Sequence, residues 1–469
     1  MAAQLETPPK ADTCAPGLAQ RFGALIADTL FEDLPPEALH WAKVGILDTA
    51  GVTVAGAREP CAVLLATALD SPPGPSALFG LKARVRARDA AMINGTASHA
   101  LDFDDCNNTL GGHPSVPILP ALFALADERK VSGREFVTAY VAGFEMETKL
   151  AMSVNFHHYM KGWHPTATLG VFGAAAACAR LLGLDARQTA VALALAASSA
   201  AGIKANFGTM TKPFHVGRCA SEGLLAAKMA AAGYTANAAG AFEHEHGFFE
   251  VYNGAGNYDP ARGIDAWGSP WDIVRPGIAI KQYPCCGSTH PAVDTAIELA
   301  QQHQLKEEDI KQVEIWIHQR RLKHTNRHDP NSELDAKFSV QYVVARALLD
   351  ASVTLAHFED EAYLDARVRR LLPRVHAAPY TDAQFDPANH FGGEVHVHLR
   401  DGRVLAAKTQ QPAGRTSGNP LSAQALRGKF AYCAAPVLGQ AKVDAAYNAI
   451  QAIETLDDVS AIGALLSLE

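Results

Sequence analysis

No C-x-x-C pair occurs among the eight cysteines of this 469-residue chain, and no Cys/His group has zinc-finger spacing. An iron–sulfur cluster needs three or four thiolates brought together, and only Cys285 and Cys286 are adjacent. The set (Cys14, Cys61, Cys106, Cys178, Cys219, Cys285, Cys286 and Cys433) therefore reads as reduced, most of it small core filler, in a cytoplasmic protein. Charge is also scarce: Asp, Glu, Lys and Arg make up 19% of the chain, against the usual quarter. There is no long basic run, and the formal net charge is −8, which argues against nucleic acid as a partner. No apolar run is long enough for a confident membrane span. The most apolar stretch, Thr189–Ile203, has 15 residues rich in Ala and Ser and reads as a buried helix. The opening residues "MAAQLETPPKADTCAPG" lack a basic segment followed by an apolar one, so we expect no secretory signal.

What is present is apolar bulk. Hydrophobic residues are 48% of the chain, enough for a large core and, by length, two or three domains. The first 270 residues read as helical. Pro35–Ala57 opens on prolines, which suit a first turn, and then repeats apolar residues at helical spacing. Gly133–Val154, "TATLGVFGAAAACARLLGL", "ARQTAVALALAASSAAGI" and Ser221–Thr235 are further helical segments, rich in small residues that permit close packing. The texture changes near Pro276. Ile310–His318 alternates like a strand, and Ala336–Asp350 is helical again. "GEVHVHLRDGRVLAAKT" alternates around Asp401-Gly402, the two-residue turn of a hairpin. From Ser422 the pattern is helical to the end. The expected class is mainly α: a large all-helical domain from residues 1–271 and 410–469, with a smaller α+β domain, 272–409, inserted.

Four stretches combine charge, Gly/Pro turns and histidine: "HALDFDDCNNTLGGHP", "KGWHPTATLG", "GTMTKPFHVGR" and "KQYPCCGSTHP". Together they supply Asp102, Asp104, His113, His164, Lys212, His215, Arg218, Lys281 and His290. Each adjoins an apolar helix, the arrangement that holds side chains rigidly at a pocket wall. A cationic pocket with a carboxylate in it, on an acidic protein, suits a small polyanionic substrate. It also offers groups that move protons near neutral pH. Blander readings stand beside this one. His164 precedes a helix and could be a cap or a satisfied core group. Asp104 and Asp105 could cap the helix after Pro114 or pair with Lys or Arg. Lys212 could be an ordinary surface lysine. His396 and His398 share a strand face and could hold a metal, but a solvated hairpin explains them equally well, and His244 and His246 are read the same way. Cys285-Cys286 could hold a nucleophile, with no base assignable.

The words "NGTASHALDFDD", "GHPSVPILPAL", "GWHPTATLG", "GTMTKPFHVGR", "YPCCGSTHPAVD" and "AKFSVQY", spanning Asn94 to Tyr342, resemble those of the MmgE/PrpD family. That family includes 2-methylcitrate dehydratase, cis-aconitate decarboxylase and iminodisuccinate epimerase. The resemblance implies a helical domain with a lid domain, a homodimer, a site in the cleft between the domains, and catalysis with neither metal nor organic cofactor. It implies Asp102, His113, His164, Lys212 and Lys281 as catalytic residues, the lysines also binding carboxylates alongside His215, Arg218, Cys286 and His290. It would turn Asp102 toward the pocket, while the rest of its segment braces the following helix. Decarboxylase-type members often carry Thr where this chain has Cys106 and His where it has Cys286. The expected reaction is a hydro-lyase step on a small hydroxylated di- or tricarboxylate. Decarboxylation or epimerisation of a similar polyacid is the alternative, and a non-catalytic polyacid-binding protein is the alternative of another class.

Overall fold

The computed structural model describes residues 15–468; Cys14 and the residues before it lie outside the described residues. Helix makes up 57% of the chain and strands are few, so the fold is mainly α.

The helices Pro36–Gly56, Ala87–Ala100, Ser115–Ala126, Gly133–Val154, Gly170–Leu182 and Thr211–Ala231 form the centre. Every residue of Ser115–Ala126 is buried. Small residues set the spacing. A Cβ on Gly95 would lie 2.8 Å from the Cα of Gly217, so only glycine lets Ala87–Ala100 cross Thr211–Ala231 this closely. That crossing matters because the first helix carries His99 in its last turn and leads into Asp102, and the second carries Lys212 and His215 in its first turns. The helices after Ser422 fold back onto the first part of the chain: Phe430 and Ala434 share a core with Trp41 and Leu47. The helical stretch 165–182 is long and apolar enough to span a membrane, but 89% of it is buried inside the protein.

A second core lies under a four-stranded sheet. Its order is Val375–Pro379, Ile310–Ile317, Gly393–Leu399, Val404–Thr409, with the first pair parallel and the others antiparallel. Val313, Ile315, Val395 and Val397 point inward onto the helices His290–His303 and Val340–Asp350. The alternation read from 310–318 and 393–399 is this inward face.

Three local expectations change. The hairpin does not turn on two residues. Leu399 N–H bonds to Arg403 O (2.8 Å), leaving Arg400-Asp401-Gly402 as a three-residue loop with Gly402 at φ +90°. The helix expected from Ser221 starts ten residues earlier, at Thr211, so Lys212, His215 and Arg218 sit on its first turns. The helix expected over Ala336–Asp350 breaks at Ser339, whose hydroxyl accepts from Tyr342 N–H and starts a new helix at Val340.

Candidate active site

The site is built on the turn that ends Ala87–Ala100. Asp102 has φ +52°, a left-handed conformation uncommon outside glycine. Three lysines from distant parts of the chain cap the carbonyls of this turn. Lys337 donates to Leu101 O (3.1 Å), Lys281 to Asp102 O (2.5 Å) and Lys429 to Phe103 O (2.7 Å). Buried ammonium groups on successive carbonyls hold the turn in a conformation that it would not keep alone.

The Asp102 carboxylate faces Lys212 (2.5 Å to Oδ1) and Lys281 (3.0 Å to Oδ2). Burial opposes its ionisation, but the two ammonium groups overcome that and hold it well below the usual carboxylate range. His113 Nε2 lies 4.0 Å from the same Oδ1. The other nitrogen of His113, Nδ1, is 2.9 Å from Asp104 Oδ2, and His99 Nδ1 is 2.8 Å from that same oxygen. Burial works against the charge on His113, yet Asp104 and the neighbouring Cys106 Sγ, 3.8 Å away, raise its pKa to about 10. His99 goes the other way, pushed down to about 4 chiefly by burial. At neutral pH His113 is therefore an imidazolium held between Asp104 and Asp102.

His164 is its counterpart. Its Nδ1 lies 3.3 Å from His215 Nδ1, and its ring meets Phe207 edge-on at 4.8 Å. Burial, with His99 and Lys212 nearby, keeps His164 well below its ordinary value, so it is neutral. His215 is lowered by burial and by Arg218. Paired groups driven apart in this way mark an acid and a base: His113 can give a proton, and His164 can take one.

Other residues named from the sequence take different places. His164 stands at the start of the helix Pro165–Thr168 but makes no side-chain cap. Asp105 does brace a helix: Ser115 N–H donates to it (3.3 Å) and the Ser115 hydroxyl bonds to the same carboxyl. Asp104 pairs with histidines rather than with Lys or Arg. Arg218 stands beyond His215, bonded to Ser199 O at 3.4 Å. His290 lies 3.4 Å from Cys285 O and lines a void of about 10 Å³ with Lys281, Gly287 and Arg415. Cys286 Sγ is 3.7 Å from His324 Nε2; burial would raise its pKa, but that contact brings it down to about 7.

His99, Lys337, Arg321, His324 and Arg415 are additions that the sequence reading missed. His99 stood inside the quoted "HALDFDD" word. Lys337 stood inside the quoted "AKFSVQY" word, while Arg321, His324 and Arg415 carry no local signal, being single cations or a histidine in unremarkable context. For a metal, the converging group among the described residues is His99, Asp104 and His113, with ligand atoms within 4.8 Å of one another. Both Nδ1 atoms already meet one oxygen of Asp104, the geometry of a hydrogen-bonded triad. His398 pairs with Glu314 and His396 with Glu394, and His246 is exposed beside Glu245.

Known sequences match most of the chain. Residues 20–261 match the MmgE/PrpD N-terminal domain and residues 283–455 the MmgE/PrpD C-terminal domain. The chain belongs to the MmgE/PrpD family. It is 32% identical over 387 residues to human cis-aconitate decarboxylase, covering 80% of this chain and 79% of that protein. The mouse cis-aconitate decarboxylase is 30% identical over 390 residues, with 80% and 78% covered. The Aspergillus terreus cis-aconitate decarboxylase is 27% identical over 462 residues, with 93% of each chain covered. Membership of this family of enzymes, with relatives named as decarboxylases, places the chain among the lyases.

Proposed function

We propose that this MmgE/PrpD member is a cofactor-independent lyase that decarboxylates a small unsaturated di- or tricarboxylate. The observation that carries the reading is the geometry: His113 stands between Asp104 and Asp102, beside Lys212 and Lys281, which share Asp102, and that setting raises the His113 pKa. Loss of carbon dioxide breaks a C–C bond and leaves its electron pair conjugated with the remaining carboxylates. Lys212 and Lys281 stabilise that charge, and His113 delivers the proton that carbon must gain. Relatives named for decarboxylation support this over the hydro-lyase reading. One observation favours the second reading: neutral His164 could remove a proton beside a carboxylate while His113 protonates a departing hydroxide.

The space lined by Lys281, Gly287, His290 and Arg415 has room for about one water, and we take the segments 279–290 and 412–415 to separate when a polyacid enters. We take residues 272–409 as the lid that moves, and a cytoplasmic homodimer as the working form. The purified protein should be incubated with cis-aconitate and a panel of saturated and hydroxylated di- and tricarboxylates. Release of carbon dioxide supports the proposal. A new conjugated alkene without it supports dehydration, and proton exchange at unchanged mass supports epimerisation. Saturable binding alone marks a non-enzyme.

A further inference from the structure

Most buried cations of this protein have an acidic partner. Lys212 and Lys281 share Asp102, Lys429 faces Asp48, and Arg346 meets Asp350 and Asp365. Arg321, the half-buried Arg415 and Lys337 differ: among the described residues none of them makes an ion pair, and Lys337 is already bound to the carbonyl of Leu101. Arg321, on the helix Gln319–Thr325, is 8% exposed and its Nε donates only to the carbonyl of His390. Its guanidinium lies 4.5 Å from the ring centre of Phe391, and that of Arg415 lies 4.7 Å from the same ring. Arg415 donates to Asn108 Oδ1 (2.7 Å), while its Nε is sealed from solvent with no partner. Two guanidinium groups on one aromatic ring repel each other, and burial without counter-charge is unfavourable. Arg321 shows the effect: burial, with Arg415 beside it, lowers its pKa to about 9.

Arg415 ties the pair to the turn at Asp102. Asn108 belongs to the loop between Asp105 and His113. A side chain at Gly287 would begin 3.9 Å from Arg415 Nη1 and 3.9 Å from Lys281 Cε. Glycine there leaves the space between the two cations open, and His290 lines the same void. The planar fork of arginine matches a carboxylate bidentately, which a second ammonium would not do.

We propose that Arg321 and Arg415, stacked about Phe391, form a second carboxylate subsite that grips the distal end of the substrate. The inference rests on the reading of this cleft as a polyacid site and narrows it: the ligand carries carboxylates at both ends. One is held at Lys212 and Lys281, and the other supplies the counter-charge that the arginines lack.

The test is calorimetric titration of the full-length protein with propane-1,2,3-tricarboxylate and with its terminal monoamide, which keeps the shape and loses one charge. Wild type should bind the triacid about ten- to a hundredfold more tightly than the amide. In Arg321→Gln and in Arg415→Gln the triacid should weaken until that ratio approaches one. Arg321→Lys and Arg415→Lys keep the charge without the fork and should give intermediate ratios. They also keep the test decisive if either glutamine variant fails to fold. A ratio unchanged from wild type in the folded variants overturns the subsite and leaves the polyacid reading standing. Failure of wild type to bind either probe overturns the polyacid reading itself. Because no turnover is needed, the result does not depend on which lyase reaction the protein performs.

Discussion

Lys212→Met removes one of the two ammonium groups on Asp102 while keeping the aliphatic stem. Taking one partner from a buried ion pair costs about 3–5 kcal/mol when the other charge is left alone. Here Asp102 is not left alone: Lys281 remains 3.0 Å from its second carboxylate oxygen and still holds its carbonyl. The loss of stability should therefore be nearer that of one charged hydrogen bond, about 1.5–3 kcal/mol. Helix Thr211–Ala231 keeps its crossing at Gly217, so the variant should fold, with a lower melting temperature. Its rate should suffer more. The ammonium group is placed to meet a substrate carboxylate and the charge that develops beside it, and losing such a group typically costs about 2–4 kcal/mol, roughly a hundred- to thousandfold in kcat/KM. The assay is steady-state kinetics on the substrate that wild type turns over, with circular dichroism and thermal melting as folding controls. A folded Lys212→Met protein with near-normal kcat/KM would refute the assignment of Lys212, whatever the reaction.

His164→Gln retains a hydrogen-bonding side chain but cannot titrate; if His164 moves a proton, kcat should fall about a hundredfold or more, measured against an unchanged fold, with KM moving less. His113 has a folded-state pKa raised to about 10 from an ordinary 6.5, so its stabilising effect is fully present below pH 6.5 and is lost as pH rises through about 10. Denaturant midpoints should decline over that alkaline window in wild type and decline less in His113→Gln, and equal decline would show that His113 is not the group. His99 is lowered to about 4, so the unfolded chain takes up its proton first, and stability should fall as pH drops from 6.5 toward 4, a limb that His99→Gln should flatten in the same melts. Exhaustive chelation should leave activity intact, since Asp104 is already engaged by His99 and His113; loss of activity restored by a divalent ion would turn that triad into a metal site.

Much of this was legible from local pattern. Helical periodicity and the Gly/Ala content of the central segments imply closely packed helices, because small residues remove the steric limit on helix approach. Alternation at 310–317 and 393–399 implies one buried sheet face, because successive side chains on a strand point opposite ways. The four His-bearing words, three with Lys and one with Asp102, Asp104 and Asp105, stood out because each sets a polar cluster beside an apolar helix. The turn lengths and the start of the helix at Thr211 were less legible, since they depend on which carbonyls and amides meet. Folding alone decided the rest. Lys337, Lys281 and Lys429 come from places 236, 179 and 326 residues away from the carbonyls they cap, and no local pattern links them. The opposite drift of His113 and His164 depends on Asp104 lying beside one ring and on the burial of the other, with His99 and Lys212 near it. Arg321 and Arg415 reach a common ring from segments almost a hundred residues apart. Charge, burial and proton affinity are properties of a side chain's three-dimensional neighbours, and a sequence specifies those neighbours only through the fold.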